Sequence, residues 1–312
     1  MSAQSLSIPH IRWESYHALL EAEHLVGRTP LHAVGERFTR NNSRILAKLE
    51  WQQLGGSVKA RAAFNILRKS IERGDLREGM RVLDASSGNT ALAYAVFCAL
   101  ARIPLTLCVP ANIAAGKRHK LTQLGAELIF TSPLEGTDGA QEEALRLNLA
   151  SPGKYYYADQ YNNAANWQAH YHTTAAEIWE QTDGTITHFV AGLGTSGTFT
   201  GTASGLRELS TDIVLVSCQP DSPMHGLEGW KHMETAKVPG IYNVNLAHRE
   251  LWIPTQEALD LIPEIRRYEG LELSPSAAAN LLAAMRLAEE NEGAVIVTVF
   301  ADERKSEHLK EE

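Results

Sequence analysis

Apolar residues in this chain cluster in two kinds of block that alternate. Short, nearly unbroken apolar runs at Arg44–Leu49 (RILAKL), Arg81–Ala85 (RVLDA), Leu105–Val109 (LTLCV), Glu127–Thr131 (ELIFT), Thr187–Ala191 (THFVA), Ile213–Cys218 (IVLVSC) and Ala294–Phe300 (AVIVTVF) predict buried strands. The longer segments between them predict helices over Ser57–Arg73, Asn89–Leu100, Ala115–Leu124, Gly139–Leu149, Asn166–Gln181, Thr198–Leu209, Thr255–Tyr268 and Ser276–Glu292. In the first of these, Ala62, Ala63, Ile66 and Leu67 recur at helical spacing, and Gly74 is a natural stop. Strands alternating with helices predict an α/β fold with a mostly parallel sheet. The stretch Asp221–Asn245, rich in Pro and Gly, reads as a long loop. A turn at Ser151-Pro152-Gly153 marks a domain change, and 312 residues suit two domains.

Composition narrows the classes. Hydrophobic residues at 44% and charged residues at 21% are those of a globular chain, not a disordered one. A net charge of -8 without any Lys/Arg-rich run excludes a nucleic-acid groove. Cys98, Cys108 and Cys218 form no CxxC pair, so neither a disulfide framework nor a metal site is expected, and three reduced thiols fit a cytoplasmic protein. The start of the chain lacks the apolar core of a signal peptide, and no stretch is expected to span a membrane.

Five polar motifs interrupt the apolar pattern. Gly192-Leu193-Gly194-Thr195-Ser196-Gly197-Thr198 follows a strand and opens a helix. Glycines let backbone N–H groups approach an anion, and a helix N-terminus favours negative charge, so the loop suits a phosphate. Its spelling also fits the dinucleotide fingerprint, with Asp221 near the place of a ribose-binding acid, so the loop alone leaves a nicotinamide cofactor open. Gly55-Gly56-Ser57-Val58-Lys59 sets a lysine in the first turn of a helix, with Ser57 as its expected cap. Positive potential there lowers a lysine pKa and suits an uncharged nucleophile, although a solvated surface lysine would read alike. In Ser86-Ser87-Gly88-Asn89-Thr90 hydroxyls, an amide and backbone N–H groups converge at a helix start, which suits a carboxylate or a plain capping turn. Asp159-Gln160-Tyr161-Asn162-Asn163 reads as a loop, and in Leu273-Ser274-Pro275-Ser276 the expected helix cap is Ser276.

The order GGSVKAR, SSGNT, DQYNNAAN, GLGTSGT and then a serine before an alanine-rich helix resembles the cysteine synthase (O-acetylserine sulfhydrylase) family of fold type II pyridoxal phosphate enzymes. The segment from Ala158 to Gly201 and Pro239-Gly240-Ile241-Tyr242-Asn243 are most similar to the B isozyme. The resemblance runs from about Val26 to Asp302. It implies two three-layer αβα domains with the cofactor, pyridoxal 5'-phosphate, between them. Residues 46–154 would form a smaller mobile domain with the carboxylate loop, and 1–45 with 155–312 a larger one with the phosphate loop. Lys59 would be the Schiff-base lysine and catalytic base, and Gly194, Thr195, Ser196, Gly197 and Thr198 would hold the cofactor phosphate. Asn89 would bond the phenolic oxygen, and Ser276, with Ser274 as second choice, would face the pyridine nitrogen. Ser86, Ser87, Gly88, Thr90 and Gln160 would hold the substrate carboxylate.

The implied reaction is β-replacement on an O-activated L-serine, O-acetylserine or O-phosphoserine, with sulfide or a related nucleophile. A neutral hydroxyl at the ring nitrogen would make the ring a weaker electron sink than a carboxylate partner does. The alternatives are β-elimination as in serine/threonine dehydratases and a regulatory paralogue with little turnover. The family's Asp after the lysine is Ala60 here, and its tail segment is replaced by Asp302-Glu303-Arg304-Lys305. The resemblance further implies a homodimer.

Overall fold

The structure is a computed structural model that describes residues 13–303; the N-terminal extension before them and the charged tail after them, expected to fray, lie outside the described residues. In chain order the elements are α1 (Glu14–Glu21), β1 (Leu31–Ala33), β2 (Arg44–Leu49), α2 (Lys59–Arg73), β3 (Arg81–Ala85), α3 (Asn89–Leu100), β4 (Leu105–Pro110), α4 (Ala115–Gln123), β5 (Glu127–Thr131), α5 (Gly136–Ala150), β6 (Tyr155–Tyr157), α6 (Ala164–His172), α7 (Thr174–Gln181), β7 (His188–Gly192), α8 (Gly197–Leu209), β8 (Val214–Pro220), β9 (Arg249–Ile253), α9 (Thr255–Glu269), α10 (Pro275–Glu290) and β10 (Val295–Phe300). They divide into two compact units. The smaller holds the described residues up to Leu25 and Ala63–Asp159; the larger holds Val26–Ala62 and the described residues from Gln160.

The sheet of the larger unit has the order β1-β2-β10-β7-β8-β9, parallel throughout except for the β1–β2 pair. Side chains alternate between its faces. Val190, Val216 and Ile296 pack with Ala258 and Ile262 of α9 and Ala277, Leu281 and Ala284 of α10. Their neighbours Phe189, Ala191, Leu215 and Val297 pack with Ile178 of α7 and Phe199 and Ala203 of α8. Both faces are dry, which is why these strands read as unbroken apolar runs. The smaller unit is built on β5-β4-β3-β6, all parallel. There Leu83, Ala85 and Cys108 pack against Ala140 and Ala144 of α5.

The structure moves three boundaries relative to the sequence reading: the smaller unit runs on to Asp159, because β6 pairs with β3 in its sheet. β2 pairs with β10 from Arg44↔Val295 to Leu49↔Phe300, so it and the start of α2 belong to the larger unit. The described residues up to Leu25 belong to the smaller unit instead, where Tyr16 Oη donates to Glu72 at 3.1 Å and Arg68 pairs with Glu23 at 2.7 Å. The helix expected over Asn166–Gln181 is two helices, α6 and α7, parted at Thr173. Thr173 Oγ1 turns back onto the Ala169 carbonyl at 2.7 Å, a local bond that competes with the helical ladder and bends it. The long loop expected after Asp221 is present up to β9. Among the described residues no helix is long and apolar enough to cross a membrane, and no group of His, Cys, Asp and Glu could hold a metal ion.

Candidate active site

Lys59 is the first residue of α2. The end of β10 fixes the approach to it: Val58 N–H donates to the Ala301 carbonyl at 2.8 Å, and Ser57 forms a backbone bridge with Asp302. Ser57 is not the cap expected from the sequence, because its hydroxyl is buried without a hydrogen-bond partner while its backbone is taken up by that bridge. Lys59 is partly exposed as a residue, yet its amine lies in a desolvated place. Burial lowers its pKa, and the carboxylates of Asp302 and Glu50 oppose the shift. No hydrogen bond or ion pair engages that amine among the described residues. A desolvated, unengaged lysine amine is disposed to act as a nucleophile or base.

Behind Lys59 stands a buried charge network. Arg61 grips Glu50 through Nε and Nη2, both at 2.7 Å, and reaches Glu177 through Nη1 at 2.6 Å. Lys48 pairs with Glu177 at 2.7 Å, and Thr29 Oγ1 donates to Glu50 at 2.7 Å. Burial alone would raise the Glu177 carboxyl, but hydrogen bonds from Arg61 and the charges of Arg61 and Lys48 hold it down to about 2. Glu50, fully buried, is likewise lowered against its own desolvation by Arg61. The sequence reading missed this network, since a lone Arg and two Glu residues far apart in the chain look like solvated surface.

The loop Gly194–Thr198 joins β7 to α8. Ser196 stands at the cap position with φ 67, and its hydroxyl is buried without a partner. Asn166 ties the loop to α6, donating to the Gln160 carbonyl at 2.7 Å and to Thr195 Oγ1 at 3.2 Å. His170 touches Thr198 Oγ1 at 3.3 Å and Thr174 Oγ1 at 2.9 Å; burial brings its pKa down to about 3, so the ring is neutral. The glycines set how closely the backbones approach. A Cβ on Gly194 would meet the Gly229 carbonyl, and one on Gly197 the Asn166 amide; Gly201 and Gly205 follow at the same spacing and let α8 lie on Trp167 and Tyr171. That four-residue glycine repeat was readable and missed. Gly197→Ala is expected to push Asn166 aside and weaken cofactor affinity roughly 10- to 100-fold, as one or two charged hydrogen bonds are misplaced; fluorescence titration of the apoprotein with pyridoxal phosphate reads it, and an unchanged dissociation constant would remove the loop from the phosphate site.

At the start of α10 the cap is Ser274, not Ser276. Ser274 Oγ accepts from Ala277 N–H at 3.2 Å, and Pro275 occupies the first helical position, which puts the cap one residue before it. Ser276 lies in the first turn, its hydroxyl 3.1 Å from that of Ser274. Asp302, at the end of β10, accepts from Ser274 at 2.5 Å and from Ser276 at 3.4 Å. In the sequence this carboxylate shows only as part of a tail that departs from the family.

The larger unit thus brings together Lys59, the loop Gly194–Thr198, Ser274, Ser276 and buried Gln160. Ser86, Ser87, Gly88, Asn89 and Thr90 are placed in the smaller unit, between β3 and α3. Ser86 Oγ there accepts from Gly88 N–H at 3.3 Å, and Gly88 holds the cap position without a side chain to bond. Ser86 and Thr90 are buried; Ser87, Gly88 and Asn89 are partly open.

A lysine amine left unengaged, an orphan serine hydroxyl at the N-terminus of a helix, and a hydroxyl pair beside a carboxylate suit a cofactor that carries an aldehyde, a phosphate and a ring nitrogen. These are the groups of pyridoxal phosphate, and the larger unit is that of a fold type II enzyme built around it. The chain belongs to the family described as pyridoxal-phosphate dependent enzyme, whose model matches residues 22–302. It is 42% identical over 285 residues to a cysteine synthase of Aquifex aeolicus (strain VF5), spanning 89% of this chain and 87% of that one. It is 36% identical over 282 residues to cysteine synthase B of Escherichia coli (strain K12), spanning 90% and 91%. The crystal structure of a cysteine synthase from Entamoeba histolytica superposes with a TM-score of 0.85 at 31% identity, covering 97% of this chain and 90% of that one. The protein is a pyridoxal-phosphate dependent enzyme, and a nicotinamide cofactor at the glycine loop is set aside.

Proposed function

We propose that the protein is a cysteine synthase that replaces the acetoxy group of O-acetyl-L-serine with sulfide to give L-cysteine, O-phosphoserine being the other leaving-group variant. The observation that carries it is the desolvated, unengaged Lys59 amine in the unit that also holds the anion loop. Curated relatives named cysteine synthase, alike over nearly the whole chain, support the choice of reaction.

Pyridoxal phosphate, when bound, supplies an aldehyde for the substrate amine and a ring that draws electrons from Cα. Residues of this chain do the rest. Backbone N–H groups at the start of α8 and the Ser196 hydroxyl would hold the phosphate. Lys59 would hold the aldehyde and, once freed, would take the α-proton and return a proton to Cα. The family resemblance assigns Asn89 to the phenolic oxygen, and Ser86, Ser87, Gly88, Thr90 and Gln160 to the substrate carboxylate. The Ser274–Ser276 pair would face the ring nitrogen. A homodimer in the cytoplasm belongs to the same proposal, and light scattering of the purified protein tests the first part.

The experiment is product analysis with O-acetylserine, with and without sulfide. Cysteine formed in proportion to sulfide, with ping-pong kinetics, is the expected result. Pyruvate at a rate indifferent to sulfide would replace the proposal with β-elimination. Neither product from a pyridoxal-phosphate-loaded protein would point to a paralogue without turnover.

A further inference from the structure

A serine hydroxyl has one proton to give and two lone pairs, whereas an ionised carboxylate only accepts. At the start of α10 this inventory closes. Ser274 Oγ lies 2.5 Å from Asp302 Oδ1, so the Ser274 proton goes to Asp302. The same oxygen receives the Ala277 N–H at 3.2 Å. With that proton committed, the 3.1 Å contact between the hydroxyls is one in which Ser276 donates. The other choice for the Ser276 proton, Asp302 Oδ1 at 3.4 Å, is also inside the cluster. Both protons thus have acceptors inside the cluster, which leaves lone pairs to meet a further group.

We propose that Asp302 is a positioning residue for the cofactor ring: by taking the serine protons it makes the Ser274–Ser276 pair an acceptor and so selects the protonated pyridine nitrogen. The inference rests on the reading that this pair faces the ring nitrogen. A neutral nitrogen there would set lone pair against lone pair, and a protonated one completes the chain N–H to serine to carboxylate. Hydrogen bonding to the charged form favours it. The weaker electron sink expected of a neutral hydroxyl is thus turned into a stronger one, with the carboxylate acting at one remove. Asp302 is held for this role by its backbone bridge to Ser57, two residues before Lys59.

The test uses holoenzyme carrying pyridoxal phosphate labelled with nitrogen-15 in the ring, read by NMR alongside cofactor stoichiometry and circular dichroism. In wild type the ring nitrogen is expected at the protonated position. Asp302→Ala should release the Ser274 proton outward and move the resonance toward the unprotonated position, while Asp302→Glu keeps it. An unprotonated wild-type nitrogen that still responds to Ser276→Ala overturns the inference and leaves the serine contact standing, as does a protonated nitrogen unmoved by Asp302→Ala. A resonance indifferent to Ser274→Ala, Ser276→Ala and Asp302→Ala alike overturns the serine reading and the inference with it. Should Asp302→Ala not fold, the wild-type resonance and Asp302→Asn decide the matter.

Discussion

Lys59→Ala is expected to give a folded protein without the visible absorbance of lysine-linked pyridoxal phosphate and with β-replacement lowered by at least ~10³-fold, because one amine serves as both anchor and proton carrier. Folding should survive. The amine makes no hydrogen bond or ion pair among the described residues, so its removal orphans nothing. The sign of the electrostatic effect is also fixed. Burial lowers the folded-state pKa of Lys59 below its ordinary value. Below that ordinary value the unfolded chain binds the proton more readily, so the native amine disfavours folding and the penalty fades as pH rises. The apo variant should therefore be at least as stable as apo wild type at neutral pH, by urea denaturation. Borohydride reduction followed by peptide mapping gives the direct test: the cofactor adduct should lie on Lys59, and an adduct on any other lysine would sink the assignment.

Strands of the parallel sheets were legible because burial on both faces forces apolar runs such as VIVTVF, and helices such as Asn89–Leu100 because they carry few polar residues. The loops between β3 and α3 and between β7 and α8 were legible as loops because glycine and hydroxyl residues crowd at strand–helix junctions, where backbone N–H groups point outward. Some strands escaped: β1 and β6, of three residues each, are too short to establish a period, and β9 opens on Arg249 and Glu250 at the sheet edge. The cap at Ser274 was misread because Pro275 fits a first helical position as well as a preceding loop. Asp302 and the Arg61 network were illegible for a common reason. Each is a charge whose meaning depends on partners beyond its own element: 26 residues away for Asp302 and Ser276, and 11 and 116 away for Arg61 with Glu50 and Glu177.

Removing Arg61 should have the largest effect on stability of any single change in the larger unit. Its side chain is 1% exposed and that of Glu50 0%, so solvent can replace neither partner. Breaking one side of such a pair leaves an uncompensated buried charge, at a cost of about 3–5 kcal/mol. Arg61→Met keeps most of the volume and isolates the charge effect. The pH dependence should change sign as well. In wild type Arg61 holds the Glu50 pKa below its unfolded value, so this carboxylate contributes stability above the unfolded pKa and loses it as pH falls through the folded one. In Arg61→Met desolvation prevails, the folded pKa rises above the unfolded one, and mild acidification should stabilise the variant by protonating Glu50. Adding Glu50→Gln should recover much of the loss and remove the inverted pH response, because a neutral amide needs no counter-charge. Denaturation of the single and double variants at neutral and mildly acidic pH measures the coupling. A single-variant loss under about 1 kcal/mol would mean that solvent reaches Glu50 in solution. Since Arg61 and Lys59 share the first turn of α2, the same change should also loosen the amine: cofactor affinity should fall in Arg61→Met and return in the double variant.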